Sequence, residues 1–168
     1  GPADNGGEGA AWVFVRDLSG VWSQEGLKLV GTGATGNAGQ GQSCALAADG
    51  NTLAVGGSED NAGIGATWIF VRVVAVWSQQ GSPLIGTGDF GGPSVAHQGT
   101  ACSLSADGNT LAAGGPDAVS VSGTFGALWI FARVGLVWSE EQRLEGSSPV
   151  GNSKQGCACS LSTDGSKV

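Results

Sequence analysis

The sequence consists of three near-copies of one segment, and this repeat constrains the fold more than any other feature. Asp-Gly pairs begin at Asp49, Asp107 and Asp164, which are 58 and 57 residues apart. Units that recur in this way share one local fold and bury their apolar surface against one another. The whole chain, 1–168, is therefore predicted to be a single repeat region with copies at about 1–56, 57–114 and 115–168.

Each copy shows the alternation of apolar and polar residues that is typical of β-strands, with Gly, Asp and Asn between the runs. Four such runs follow one another in the middle of the chain, at 43–48, 52–57, 66–72 and within 76–86. Short connections between the first and second runs, and between the third and fourth, predict antiparallel hairpins. The predicted fold class is all-β: four-stranded antiparallel blades without helices, three per chain, forming a β-propeller.

Composition excludes two classes of partner. The formal net charge is −7, and only seven Lys and Arg are scattered over 168 residues, which argues against nucleic-acid binding. No stretch approaches the about 20 apolar residues of a membrane-spanning helix, so we expect no membrane insertion.

Two stretches, "SADGNTLAAGGPD" (105–117) and "GALWIFARVGLVWSEEQRLEG" (126–146), combine an Asp-Gly-x-x-Leu-Ala hairpin, an aromatic strand and a Trp-Ser strand. Together they resemble the FG-GAP-type β-propeller repeat, which is related to the repeats of integrin α subunits and of many bacterial secreted proteins. The resemblance extends over all three copies. It implies a module for binding or adhesion that is not an enzyme, takes a protein or carbohydrate partner, and works outside the cell or at the cell surface.

The chain departs from integrin-like repeats at the loop that commonly binds calcium, Asp-x-Asp-x-Asp-Gly. The corresponding loops read "GPADNGGEG", "GSEDNAGIG" and "GPDAVSVSG", in which only Asp4, Asp60 and Asp117 recur. Calcium usually takes 6 to 8 oxygen ligands. We therefore expect no metal site and no cofactor.

Alignment of the copies places both ends of the chain in the second strand of a repeat. Gly1 aligns with Gly57, and Val168 aligns with Leu53. The strands thus add up to three blades, one of them divided between the two ends. Because propellers close with about 4 to 8 blades, we expect a homodimer in which split blades close a six-bladed ring. The alternative is that the sequence is a piece of a longer propeller.

Cysteines and tryptophans recur at fixed repeat positions, which favours packing roles. Cys44, Cys102 and Cys159 share one position on separate blades, so reduced, buried thiols are expected rather than disulfides. The six tryptophans are expected in the core rather than as platforms for sugars. His97 is the only histidine and has no counterpart in the other copies, so no catalytic triad is predicted.

Alternating strand direction places the loops after the second and fourth strands of each copy on one rim, and both carry insertions near the middle of the chain. Recognition usually occurs on loops held by a rigid scaffold. The candidate ligand-binding residues are Asp89, Phe90, His97, Asp117 and Phe125. Neutral variation in loop length is the alternative. Three hypotheses for function follow: a binding or adhesion module, a purely structural self-assembling repeat, and an enzyme using the axial funnel, which the lack of clustered acids or histidines argues against.

Overall fold

The computed structural model describes residues 1–88, 95–120 and 123–168. Strands hold 42% of the residues and helix 5%, and the strands pair in several antiparallel sheets. The predicted all-β class is therefore confirmed. Within the three ranges given, no helix has the length and apolar character needed to cross a membrane.

Two four-stranded meanders form the body of the protein. In the first sheet, consecutive strands pair with one another: β3 (Ser43–Leu46), β4 (Thr52–Gly57), β5 (Ala66–Val73) and β6 (Val76–Gln79). The second sheet has the same order: β7 (Ala101–Leu104), β8 (Thr110–Gly115), β11 (Ala127–Val134) and β12 (Val137–Leu144). A short hairpin of β9 (Val119–Ser120) and β10 (Gly123–Thr124) lies in the connection between β8 and β11.

The recurring Asp-Gly-x-Thr-Leu-Ala segment builds the tight turn between the first two strands of each sheet. Asp107 accepts a hydrogen bond from the Asn109 backbone at 3.0 Å, and Gly108 adopts a φ of 67°. An aspartate side chain bonded to the backbone two residues later, followed by a glycine with positive φ, is typical of a tight turn. The strand that follows is buried on both sides, and a Cβ atom on Gly56 would lie 2.1 Å from the Gly99 carbonyl. Small residues at this point let neighbouring repeats approach closely.

The N-terminal hairpin contains only two strands, β1 (Phe14–Arg16) and β2 (Trp22–Gln24), and every residue in them is exposed. The C-terminal segment, residues 157–168, contains no assigned strand. It lies beside the second sheet, because the Leu161 amide donates to the Ser103 hydroxyl at 2.9 Å. Among the described residues, the N-terminal hairpin is thus a two-stranded sheet, and the C-terminal segment packs on the second sheet without forming a strand.

Two four-residue helical turns, Asp4–Gly7 and Asp60–Gly63, correct the expectation of a chain without helices. Each contains residues in the left-handed region, with φ of 51° at Asn5 and 49° at Asn61. They are compact turns rather than regular helices, which explains why the sequence shows no helical periodicity there.

Successive repeats pack through a recurring contact around a buried tryptophan, which we call the junction. The Trp68 ring N–H donates to the Thr32 carbonyl at 3.0 Å, and Trp129 donates to the Thr87 carbonyl at 2.8 Å. A Cβ atom on Gly31 would lie 2.1 Å from the Trp68 ring. The junction therefore requires glycine on one side and tryptophan on the other.

A second part of the junction is an arginine on the third strand of each sheet. Arg72 donates to both carboxylate oxygens of Glu25, at 2.7 and 2.6 Å, and Trp77 donates to the same carboxylate at 3.0 Å. At the next junction, Gln80 takes the place of Glu25 and accepts a bond from Arg133 at 3.2 Å. The two junctions therefore have the same design with one change from a charged to a neutral acceptor.

The predicted burial of the tryptophans is confirmed for Trp68 and Trp129, which are fully buried. It is wrong for Trp12 and Trp22, which are 38% and 64% exposed. Both exposed rings lie in or beside the N-terminal hairpin, where no preceding repeat of this chain covers them. Their exposure reflects a missing neighbour rather than a different sequence pattern.

Candidate functional site

The loops after the second and fourth strands contact each other on one side of the protein, as the sequence predicts. The His97 amide donates to the Gly63 carbonyl at 2.8 Å, and the Gln155 amide donates to the Phe125 carbonyl at 2.8 Å. Short parallel bridges reinforce both contacts. We call this side the loop rim; its described residues are 58–65, 95–100, 116–120, 123–126 and 153–156.

Three recurring glutamines fix the backbone of these loops. Gln98 is fully buried, and its side-chain oxygen accepts a bond from the Gly86 amide at 2.6 Å. Gln40 makes the same bond to Gly31 at 2.6 Å, and Gln155 makes its equivalent in the third copy. Sequence reasoning missed these residues, although the recurring Gln-Gly pair could have identified them. Their bonds hold the loop backbone that carries the rim side chains.

Four titratable side chains form a row on the loop rim, in which carboxylates alternate with nitrogen-containing side chains. They are Glu59, His97, Asp117 and Lys154, here called the rim cluster. His97 Nδ1 lies 2.9 Å from Asp117 Oδ2, and His97 Nε2 lies 3.8 Å from Glu59 Oε1. The Lys154 ammonium donates to the other oxygen of Asp117. The structure thus brings together two of the predicted residues, and it adds Glu59 and Lys154, which the sequence analysis did not select. Lys154 could have been found, since it precedes Gln155 as His97 precedes Gln98.

Phe125 lies close to this row through its backbone. Its carbonyl accepts bonds from Gln155 and from the Ser153 hydroxyl, each at 2.8 Å, next to Lys154. The ring is half-buried and packs over Gly123. The other two predicted residues, Asp89 and Phe90, lie outside the described residues.

The structure corrects the proposed recurrence of Asp4, Asp60 and Asp117. The Asp117 amide donates to the Ala96 carbonyl at 3.2 Å, as the Glu59 amide donates to the Ala38 carbonyl at 3.1 Å. Asp117 therefore corresponds to Glu59, and Ala118 takes the place of Asp60. The backbone hydrogen bonds establish this alignment of the two loops. The alignment by residue type had paired Asp117 with Asp60, which is one position away from its true counterpart, Glu59.

Asp117 is ionised at neutral pH. Partial burial opposes its ionisation, but hydrogen bonds from Lys154 and His97 outweigh that effect, so its pKa lies below the ordinary value of 3.8. A carboxylate bonded to one ring nitrogen orients an imidazole, and here it directs Nε2 of His97 towards Glu59. The rim cluster is thus a row of titratable side chains that is held in place on a loop scaffold.

The His97 ring lies between two carboxylates, those of Asp117 and Glu59. In residues 1–88, 95–120 and 123–168, no group of three or more His, Cys, Asp or Glu side chains is placed to hold a metal ion. The side-chain partners found for the His97 ring among these residues are the carboxylates of Asp117 and Glu59. A nucleophile bonded to the base, as acyl transfer requires, is not part of this arrangement.

All four cysteines are free, and the burial expected for Cys44, Cys102 and Cys159 is wrong for Cys44. Cys44 and Cys157 are exposed, whereas Cys102 and Cys159 are half-buried. Cys102 packs beside Thr67 of the preceding sheet, with its sulfur 3.7 Å from the Thr67 hydroxyl. Burial raises the pKa of Cys102 to about 11 and that of Cys159 to about 12, so both thiols are weak nucleophiles at neutral pH.

Stability is expected to fall as the pH is lowered from about 4 to about 2. Hydrogen bonds from Ser162 and Ser166 lower the pKa of Asp164 to about 2, and Arg72 lowers the pKa of Glu25. Groups with lowered pKa stabilise the fold above their ordinary values, and this contribution is lost as the pH falls through the folded-state values. Urea unfolding followed by tryptophan fluorescence at pH 7, 4, 3 and 2 measures it. An unfolding midpoint that stays constant down to pH 2 would show that these bonds do not stabilise the fold.

Comparison with models of known protein families and with curated protein sequences finds no match to this chain.

Proposed function

We propose that the protein is a non-enzymatic β-propeller module that binds a protein or carbohydrate partner through its loop rim and associates with a second copy of itself. The observation that carries the binding role is the convergence of His97, Asp117 and Lys154 on one set of loops. The two similar four-stranded sheets and the resemblance to FG-GAP-type repeats support a propeller architecture. The same resemblance supports a location outside the cell or at its surface.

The rim cluster offers a partner both donors and acceptors. The side chains of Glu59 and Lys154 are 61% and 44% exposed, while those of His97 and Asp117 are about one-quarter exposed. The inner pair is thus held rigid and the outer pair is accessible. Rigid polar groups lose little conformational entropy on binding, which favours affinity for a polar partner such as a glycan or a protein surface.

A purely structural role is the second candidate, and the junctions favour it. The two-bond contact of Arg72 with Glu25 joins two repeats, and the Gln98 side chain is used to hold its own loop. In that case the loop rim would only connect strands. The two candidates differ in whether the rim cluster has a partner.

Binding arrays distinguish them. Fluorescently labelled protein is applied to a glycan array and to a protein array, with Lys154→Ala and His97→Ala as rim variants. We expect a signal on one array that each rim variant reduces about tenfold or more. Lys28→Ala is the matched control, because it removes a similar lysine contact, to Asp4, outside the rim cluster. Arrays that show no binding by a folded, self-associated protein would favour the structural role. An equal loss of binding signal in the Lys28→Ala control would exclude the rim cluster as the binding site.

A further inference from the structure

Each junction joins a trailing face of one repeat to a leading face of the next. The trailing faces consist of an acceptor side chain and a Gly-Thr pair: Glu25, Gly31 and Thr32 in the first, and Gln80, Gly86 and Thr87 in the second. The leading faces consist of two tryptophans, an arginine and an acceptor: Trp68, Arg72, Trp77 and Gln79 in the first sheet, and Trp129, Arg133, Trp138 and Glu140 in the second. The same bonds form at both junctions, so the two kinds of face are complementary wherever they occur.

The N-terminal hairpin carries a complete leading face that nothing in the described chain covers. Its members are Trp12, Arg16, Trp22 and Gln24, at the positions of the residues above. Among the described residues, the Arg16 side chain donates to the nearby Gly20 carbonyl, at 3.1 Å, whereas Arg72 binds a carboxylate. This face is therefore open and basic.

One member of the open face is already in the orientation that the junction uses. The Gln24 side-chain amide donates to the Gly26 carbonyl at 2.8 Å, as the Gln79 amide donates to Gly81 at 2.9 Å. At the junction, this bond leaves the Gln79 oxygen free to accept the Thr32 amide at 2.7 Å. Gln24 presents the same acceptor to solvent.

The third repeat carries the matching trailing face: Glu141, Gly146 and Ser147. Glu141 follows Trp138 by three residues, as Glu25 follows Trp22. It is exposed, and it borders an open groove together with Leu161, Lys167 and Val168 of the C-terminal segment. A carboxylate thus lies uncovered at one end of the molecule and an arginine at the other.

We propose that the leading face of the N-terminal hairpin binds the trailing face of the third repeat in a second copy, with the Glu141 carboxylate clamped by Arg16 and Trp22 of that copy. This contact rests on the proposed self-association and assigns the residues that make it. Charge complementarity and two internal copies of the same contact identify a second copy as the occupant.

The same arrangement completes a sheet. The Arg72 and Arg133 amides donate to the carbonyls of Asn51 and Asn109, at 2.9 and 2.8 Å, at the turn between the first two strands of their own sheets. Arg16 corresponds to Arg72 in the repeat, and Ser166 corresponds to Asn51. In the proposed dimer, the Arg16 amide therefore donates a hydrogen bond to the Ser166 carbonyl of the second copy. Strand β1 then pairs with the C-terminal segment, which lies next to Glu141 and therefore reaches the hairpin in the same step.

The contact is head-to-tail, so it either closes into a ring or continues as a filament. Each copy supplies the strands of three repeats. Two copies give six repeats, the only multiple of three within the about 4 to 8 blades of closed propellers. We therefore infer a closed pair of chains.

A charge-reversal cycle tests the clamp, with mass in solution measured by sedimentation velocity. Glu141→Arg and Arg16→Glu are each expected to weaken association about 100-fold or more, because each leaves like charges facing one another. The double variant R16E/E141R restores an opposite pair and is expected to recover association. Glu8→Arg is the control for charge, since it makes the same change at a residue that bonds Asn5 on another part of the surface.

The outcomes separate the clamp from the wider proposal. Wild-type protein that is monomeric at all concentrations would overturn both self-association and the clamp, and would indicate that further repeats of a longer polypeptide cover these faces. Wild-type dimers that survive Glu141→Arg unchanged, or a double variant that stays monomeric while its circular dichroism is native, would overturn the clamp alone. Weaker association in both single variants, together with recovered association in the double variant, supports the clamp.

Discussion

Gly65→Ala is expected to prevent folding or to lower the free energy of unfolding by about 3 to 5 kcal/mol. Gly65 adopts a φ of 82°, and a Cβ atom there would lie 2.1 Å from the Gln98 carbonyl oxygen and 2.5 Å from its amide nitrogen. Those atoms cannot move aside cheaply, because the Gln98 side chain is fully buried and bonded to Gly86. Urea unfolding followed by tryptophan fluorescence measures the loss.

Gly81→Ala is the matched control for this change. Gly81 has a similar φ of 75°, but a Cβ atom there meets nothing within 4 Å. The variant should therefore lose only the about 1 to 2 kcal/mol that a left-handed backbone costs a residue with a side chain. The difference between Gly65→Ala and Gly81→Ala isolates the close approach of the two loops. Equal losses in the two variants would show that this approach is not tight.

Trp129→Ala is expected to lower the free energy of unfolding by about 3 to 5 kcal/mol. The ring is fully buried, and its N–H donates to the Thr87 carbonyl at 2.8 Å. Glycines on two sides, Gly86 and Gly115, leave no space for a Cβ atom beside the ring, so the surrounding backbone is shaped to the indole. Removing it leaves a cavity between two repeats rather than within one.

Trp129→Phe separates packing from hydrogen bonding. Phenylalanine fills part of the cavity but removes the donor to the part-buried Thr87 carbonyl, and one such hydrogen bond contributes about 0.5 to 1.5 kcal/mol. The loss should therefore lie below that of Trp129→Ala. Thermal and urea unfolding of both variants measure the difference. A loss under about 1 kcal/mol in Trp129→Ala would contradict a junction built on this ring.

The strands of the middle copy were predictable because their signal is local. Period-two alternation between Asp-Gly turns predicts runs at 43–48, 52–57 and 66–72, and the structure has strands at Ser43–Leu46, Thr52–Gly57 and Ala66–Val73. The β9–β10 hairpin was not predicted, since two-residue strands carry no measurable alternation. A two-stranded N-terminal part of a divided blade was expected, but the exposure of Trp12 and Trp22 was not, because their sequence matches that of the buried hairpins.

The candidate site was predictable only in part. Unequal loop lengths selected loops that contact each other in the structure, and His97 and Asp117 are in contact. The glutamines were missed because their role depends on bonds to Gly31, Gly86 and Gly146, residues 9 or 12 positions away across a loop. Glu59 and Lys154 join the row only once the repeats are packed side by side. Contacts between repeats, unlike strands within one repeat, leave little trace in local sequence pattern.

Amide hydrogen exchange at Arg16, measured by NMR across a dilution series, tests most directly whether a second copy completes the open sheet. Arg72 and Arg133 are internal references, because their amides bond the turn of their own sheets at 2.9 and 2.8 Å. The account predicts that Arg16 is protected like these two arginines in concentrated protein and loses protection on dilution, while the references stay protected. An Arg16 amide that exchanges at the rate of an unpaired residue at every concentration would contradict it.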